Sequence, residues 1–157
     1  MPSTPEDLLR PSLSRSADVA AAPYGNQSAM LTAFFGGPIA AVVLFVINTW
    51  RLRTLRRDAI WLVVAALTCA GWFVFLHVGT AGSAFKSMLD AWLGSGARTI
   101  LHRLVALAIF GLAAVRHRGE QRSTDILGMA RPNPWGVCIG LIALGWAGDV
   151  ALARWWV

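Results

Sequence analysis

The chain has 157 residues, of which 56% are apolar and only 14% charged, and its mean hydropathy is +0.56. Soluble domains carry about 25% charged residues, so too little polar surface remains to cover a globule in water; disorder, collagen, a disulfide scaffold and a cytosolic enzyme are excluded. The formal charge of +6 would suit nucleic acid in a soluble chain, but in a membrane protein basic residues orient the chain and meet anionic headgroups, so the lipid bilayer and not nucleic acid is the expected partner.

Residues 1–28 are rich in Ser, Pro and Ala and read as a flexible polar tail. Ala20, Ala21 and Ala22 imitate a processing site, yet no apolar run precedes them, so no cleaved signal peptide is expected. Residues 29–157 then read as one transmembrane domain. Four apolar stretches, 31–50, 59–78, 99–115 and 135–154, are each near the length that crosses a ~30 Å hydrocarbon layer at 1.5 Å per residue. Within the first, Pro38 after Gly36 and Gly37 removes an amide donor and predicts a kink, with a re-entrant loop as the alternative. Between the second and third, Phe85, Met88, Leu89 and Trp92 recur at helical spacing, as in a short helix lying in the membrane interface. The expected fold class is all-α: a polytopic membrane protein of four transmembrane helices and one interfacial helix.

Charge sets the expected orientation. Arg51, Arg53, Arg56 and Arg57 fill the first connection and Arg116, Arg118, Arg122 and Arg131 the third. The positive-inside bias puts these two connections in the cytoplasm and, with four spans, both termini in the periplasm of a bacterial inner membrane. Most of the tryptophans fall near span ends, as indole rings prefer; Trp72 and Trp146 lie deeper.

Few residues carry chemistry. Arg103 and Asp149 are embedded at similar depth in the third and fourth spans, and lone charges there cost several kcal/mol, which points to an ion pair, either a structural clasp or part of a proton or substrate path. His77 and His102 form a candidate polar cluster near the outer ends, with His117 alone at the other. Two histidines at one depth can hold a metal or a haem iron, but no Cys cluster or second carboxylate accompanies them, so neither metal nor cofactor is expected. Cys69 and Cys138 differ in depth and read as packing residues. Small residues mark the expected helix contacts: Gly36 and Gly37 in the first span, Gly136 and Gly140 at GxxxG spacing in the fourth, with Gly145 and Gly148 beyond.

The run from Ala33 through Gly36, Gly37 and Pro38 to Ala41, followed by Asn48, Arg51 and Leu52, resembles the first span of small uncharacterised bacterial inner-membrane proteins. The resemblance covers about a quarter of the chain and implies no activity. A small multidrug-resistance transporter would be expected to carry a glutamate in its first span, and 31–50 has no acid. Nor is there an HExxH, Walker or GxSxG motif. The expectation is therefore a non-catalytic structural or accessory subunit that meets other membrane proteins or a second copy of itself. The alternatives are a small transporter or channel with an outer-leaflet polar site and, more remotely, a haem-binding electron carrier.

Overall fold

The computed structural model describes residues 22–77, 80–94, 96–126 and 128–155. Among them are six helices and no strand: α1 Asn26–Arg51, α2 Leu55–His77, α3 Thr80–Leu93, α4 Ala97–Arg116, α5 Arg118–Ile126 and α6 Trp135–Trp155. Four of these, α1, α2, α4 and α6, are long and apolar enough to cross a membrane. Their outer faces carry large exposed apolar side chains such as Ile60, Leu67, Leu104, Val115 and Ile139, the inverse of a water-soluble surface.

The first helix is not a rod. At Gly37 the backbone takes φ 74°, ψ −171°, a region essentially reserved for glycine, and Pro38 follows as the first residue of a new helical segment, where its missing amide costs nothing. The bend is complete enough to bring the two halves side by side. Arg51 donates from Nε to the Ala22 carbonyl at 3.0 Å, the Tyr24 amide donates to Asn48 Oδ1 at 2.9 Å, and the Arg51 guanidinium lies 5.0 Å from the Tyr24 ring centre. In a straight helix residues 26 and 48 would stand about 33 Å apart. Ala33 and Ala41 share one core cluster, and Tyr24, Ala29, Ala40 and Leu44 share another, which completes the antiparallel pairing. Segments 26–36 and 38–51 are about 16 and 21 Å long, so α1 is a helical hairpin whose turn lies inside the bundle. The kink expected at Pro38 is thus the re-entrant form, because glycine at 37 permits a reversal that proline alone would not.

Two expectations change as a result. Residues 22–28 are not tail: Ala22 and Tyr24 are buried against the hairpin, while residues 1–21 lie outside the described residues. The described chain also begins and ends at opposite ends of the bundle. Ala22 sits beside Arg51, Cys138 near the start of α6 approaches the Ser28 carbonyl at 3.8 Å, and Asp149 near the end of α6 faces Gly37 at the hairpin turn. Both ends on one side was the consequence of counting α1 as a single crossing.

The hairpin occupies the middle of the molecule. Its most extensive contacts are with α4 and α6, and a smaller one is with α2. Ala65 of α2 and Ala106 and Ile109 of α4 close on Ala33, Ala41 and Phe45, while Leu141 of α6 packs with Ala40 and Leu44. Small side chains let these backbones approach where no hydrophobic force drives helices together. Gly36 lies against the α6 backbone at Leu141 and Ile142; a side chain at Gly145 would run into the Gly36 carbonyl, and one at Gly148 into Ile39. Gly136 and Gly140, the GxxxG pair, face open space instead, as do Gly71 and Gly111. Their spacing is right, but they lie nearer the start of α6, on a face the hairpin does not cover. The amphipathic segment forms α3 as expected and is seated on α2 through Phe85 on Phe75, with ring centres 5.3 Å apart, and through Gly82 against the Phe75 carbonyl.

Candidate functional site

The hairpin turn is one wall of a cavity of about 400 Å³. Phe34, Phe35 and Gly37 come from α1, Phe73 and Leu76 from α2, Thr99, His102 and Arg103 from α4, and Trp146 and Asp149 from α6. Helices α2, α4 and α6 present theirs at i, i+3 or i+4, the spacing that stacks side chains on one helical face. Thr99, His102 and Arg103 thus share a face within the first turns of α4, and Trp146 and Asp149 share one in the last turns of α6.

The polar groups are held in a defined order. Trp72 donates its indole N–H to His102 Nδ1 at 3.1 Å, so the ring proton of His102 resides on Nε2. That nitrogen lies 2.9 Å from Asp149 Oδ2, off the line of a hydrogen bond, and Asp149 Oδ1 has no donor among the described residues. The Asp149 carboxylate also faces Gly37, the start of the second half-helix, whose unpaired amides favour negative charge. Arg103 lies over the Phe34 ring at 4.6 Å, a cation–π contact. Trp146 donates to the Phe35 carbonyl at 2.8 Å, satisfying an acceptor freed where the first half-helix ends.

The expected Arg103–Asp149 pair is therefore not formed. Asp149 is met by His102, one residue earlier, and Arg103 turns about 100° further round α4 to the hairpin. The reason is architectural: α4 and α6 each pack on α1 and hardly on one another, so the turn stands between them. His102, Arg103 and Asp149 nonetheless line one cavity, whereas the side chain of His77, at the end of α2, lies outside the described residues. Nδ1 of His102 is engaged by Trp72, whereas Nε2 lies beside Asp149 with no hydrogen-bond partner among the described residues. The two deep tryptophans, whose departure from the interfacial belts was the available signal, prove to be the donors that fix this wall.

A second polar cluster was missed. Asp58, fully buried in the first turn of α2, accepts from Arg116 Nε at 2.7 Å and lies 3.2 Å from His117 Nε2, with Arg57 Nε at 3.6 Å. His117 is buried too, against the Phe45 ring and 3.5 Å from Thr49 Oγ1, and Arg57 pairs with Glu120 of α5. Burial pushes the His117 imidazole down from its ordinary value of 6.5, although Asp58 opposes the shift. Glu120 is held below its ordinary value of 4.5; burial alone would raise it, and the hydrogen bond and charge of Arg57 together outweigh that. This cluster ties α1, α2, α4 and α5 at the arginine-rich end, where Phe45 and His117 line a small cavity of about 20 Å³. An acid set among four arginines at the mouth of a span was its visible sign.

Comparison with protein families, with curated proteins and with solved structures finds no match.

Proposed function

We propose that this chain is a non-catalytic multi-pass protein of the bacterial inner membrane that binds a small polar ligand in the cavity beneath the hairpin turn. The observation that carries this reading is the placement of two embedded charges, Arg103 and Asp149, on one cavity at the break between two half-helices. Charges inside apolar spans are costly and mark functional sites, and interrupted helices are where membrane proteins place ligands at depth. Aromatic walls with a few convergent polar groups are the general make-up of a small-molecule pocket, and 400 Å³ lies within the usual range.

Ala33, Ala41 and Ala106 do not line this cavity and are buried in one apolar core cluster, which favours capture from one side over a through-channel. This suits an accessory or receptor subunit better than a pore. The hairpin supports an orientation: the arginine-rich end holds the eight arginines of the two connections, against Lys86, Arg98 and Arg154 toward the other. The positive-inside bias then favours residue 22 in the cytoplasm and the end of α6, with the cavity, toward the periplasm. Thermal shift of the purified protein against a panel of small charged and neutral solutes tests the binding reading. At least one solute class is expected to raise the melting temperature of the wild type and not of Thr99→Trp, which fills the cavity; no shift with any class overturns it.

A further inference from the structure

We infer that the cavity is built for a zwitterion: one guest carrying both an ammonium group and an oxyanion, such as an amino acid or the headgroup of a phosphatidylethanolamine. The inference rests on the binding reading above and names its ligand class. Its basis is that the cavity holds two opposite charges that do not neutralise each other. Arg103 has an aromatic ring, and no carboxylate among the described residues, within ion-pair distance. Asp149 faces a histidine whose Nδ1 already accepts from Trp72 and whose Nε2 makes no aligned hydrogen bond to it, and Asp149 Oδ1 has no donor among the described residues. In a low-dielectric setting two such charges would be expected to pair directly; here the Gly37 turn and the Phe34 ring keep them apart across the cavity they both line.

Guests of each charge type fare differently. A monoanion gains Arg103 and is repelled by Asp149, a monocation gains Asp149 and is repelled by Arg103, and a neutral guest has only the aromatic walls. A zwitterion gains both, its oxyanion on the guanidinium fork and its ammonium on the carboxylate, with the Trp146 face able to support the cation. Phe35, Phe73 and Leu76 line the same cavity and suit an apolar body attached to these groups.

Three isosteric probes separate the classes: leucine, 4-methylpentanoate, which lacks the amine, and 3-methylbutylamine, which lacks the carboxylate. Equilibrium binding is measured on the full chain in phosphatidylglycerol nanodiscs. Leucine is expected to bind at least tenfold more tightly than either analogue, about one charge-assisted hydrogen bond's worth. Arg103→Gln should abolish the advantage over 3-methylbutylamine, and Asp149→Asn the advantage over 4-methylpentanoate. In a second arm, phosphatidylethanolamine replaces phosphatidylglycerol. If the lipid headgroup is the guest, this lipid is retained through detergent extraction in preference to phosphatidylglycerol and competes with leucine. A free amino acid as guest leaves leucine binding unaffected by the lipid. Either result supports a zwitterion. An analogue that binds as tightly as leucine, without selective retention of phosphatidylethanolamine, overturns the inference while leaving the binding reading intact. Should no probe bind and no lipid be retained selectively, both fall. The wild-type comparison stands even where a variant fails to fold.

Discussion

At the residue scale the most consequential side chain for stability is Asp58. Fully buried, it faces Arg116 and His117, and removing one member of a buried charged group leaves the others without compensation. Asp58→Asn should cost roughly 3 kcal/mol, read as a lower melting temperature in detergent. His117 adds a pH dependence whose sign follows from its depressed pKa. Below 6.5 the unfolded chain takes up a proton that the folded chain still refuses, so stability is full above that value and falls as pH drops toward the folded pKa. Melting temperature should decline between pH 7 and pH 5.5, and His117→Gln should flatten the decline; an unchanged slope would count against the buried neutral imidazole. Glu120, with its pKa held low by Arg57, contributes stability that is lost only below 4.5, in a separate window. The sequence made Arg103, His102 and Asp149 conspicuous because charge within an apolar run is visible in one dimension. Their partners were not, since which neighbour lies across the gap depends on a chain reversal far away in sequence. Asp58 escaped notice because it stands outside the apolar run, among arginines that looked like solvent-facing charge.

At the element scale the hairpin decides what its two central residues are worth. Were α1 a continuous helix, Pro38→Ala would relieve an interior proline and stabilise by about 3 kcal/mol. As the first residue of a half-helix Pro38 restricts the unfolded chain at no cost in lost bonds, so the same change should leave stability unchanged or lower it by less than about 1 kcal/mol. Gly37→Ala should do the reverse, costing about 1–3 kcal/mol in backbone strain, with a further penalty because the new methyl meets the His102 ring. Chemical denaturation of the two variants in parallel checks both expectations. Helix α2 and the amphipathic α3 were legible because apolar length and periodicity are local. The reversal was only half legible: Gly-Gly-Pro announces a break, but its angle is set by the small residues at 29, 33, 40 and 41, which let the two halves close on each other.

For the whole molecule, the hairpin predicts an accessibility pattern that four crossings would not give. Single cysteines placed at Ala22 and at Arg53, in a background lacking Cys69 and Cys138, should react with a membrane-impermeant maleimide from the same side, and one at Gly94 from the other. Labelling of Ala22→Cys together with Gly94→Cys would exclude the arrangement. Composition alone was enough to point to helices apolar enough to cross a membrane. It could not show that one apolar stretch turns back, since hydropathy has the same value in either direction.

The seat of α1 between α4 and α6 also bears on how the protein is made. The α1 segment leaves the ribosome well before α6 and is too short in either half to lodge as a crossing, and the backbone it packs on, at Gly145 and Gly148, belongs to that later segment. Until α6 arrives, the Phe35 carbonyl lacks its Trp146 donor and the turn lacks one of its walls. Seating of the hairpin is therefore completed only once α6 is in place, and a nascent chain cut short before Trp146 carries an unfastened turn.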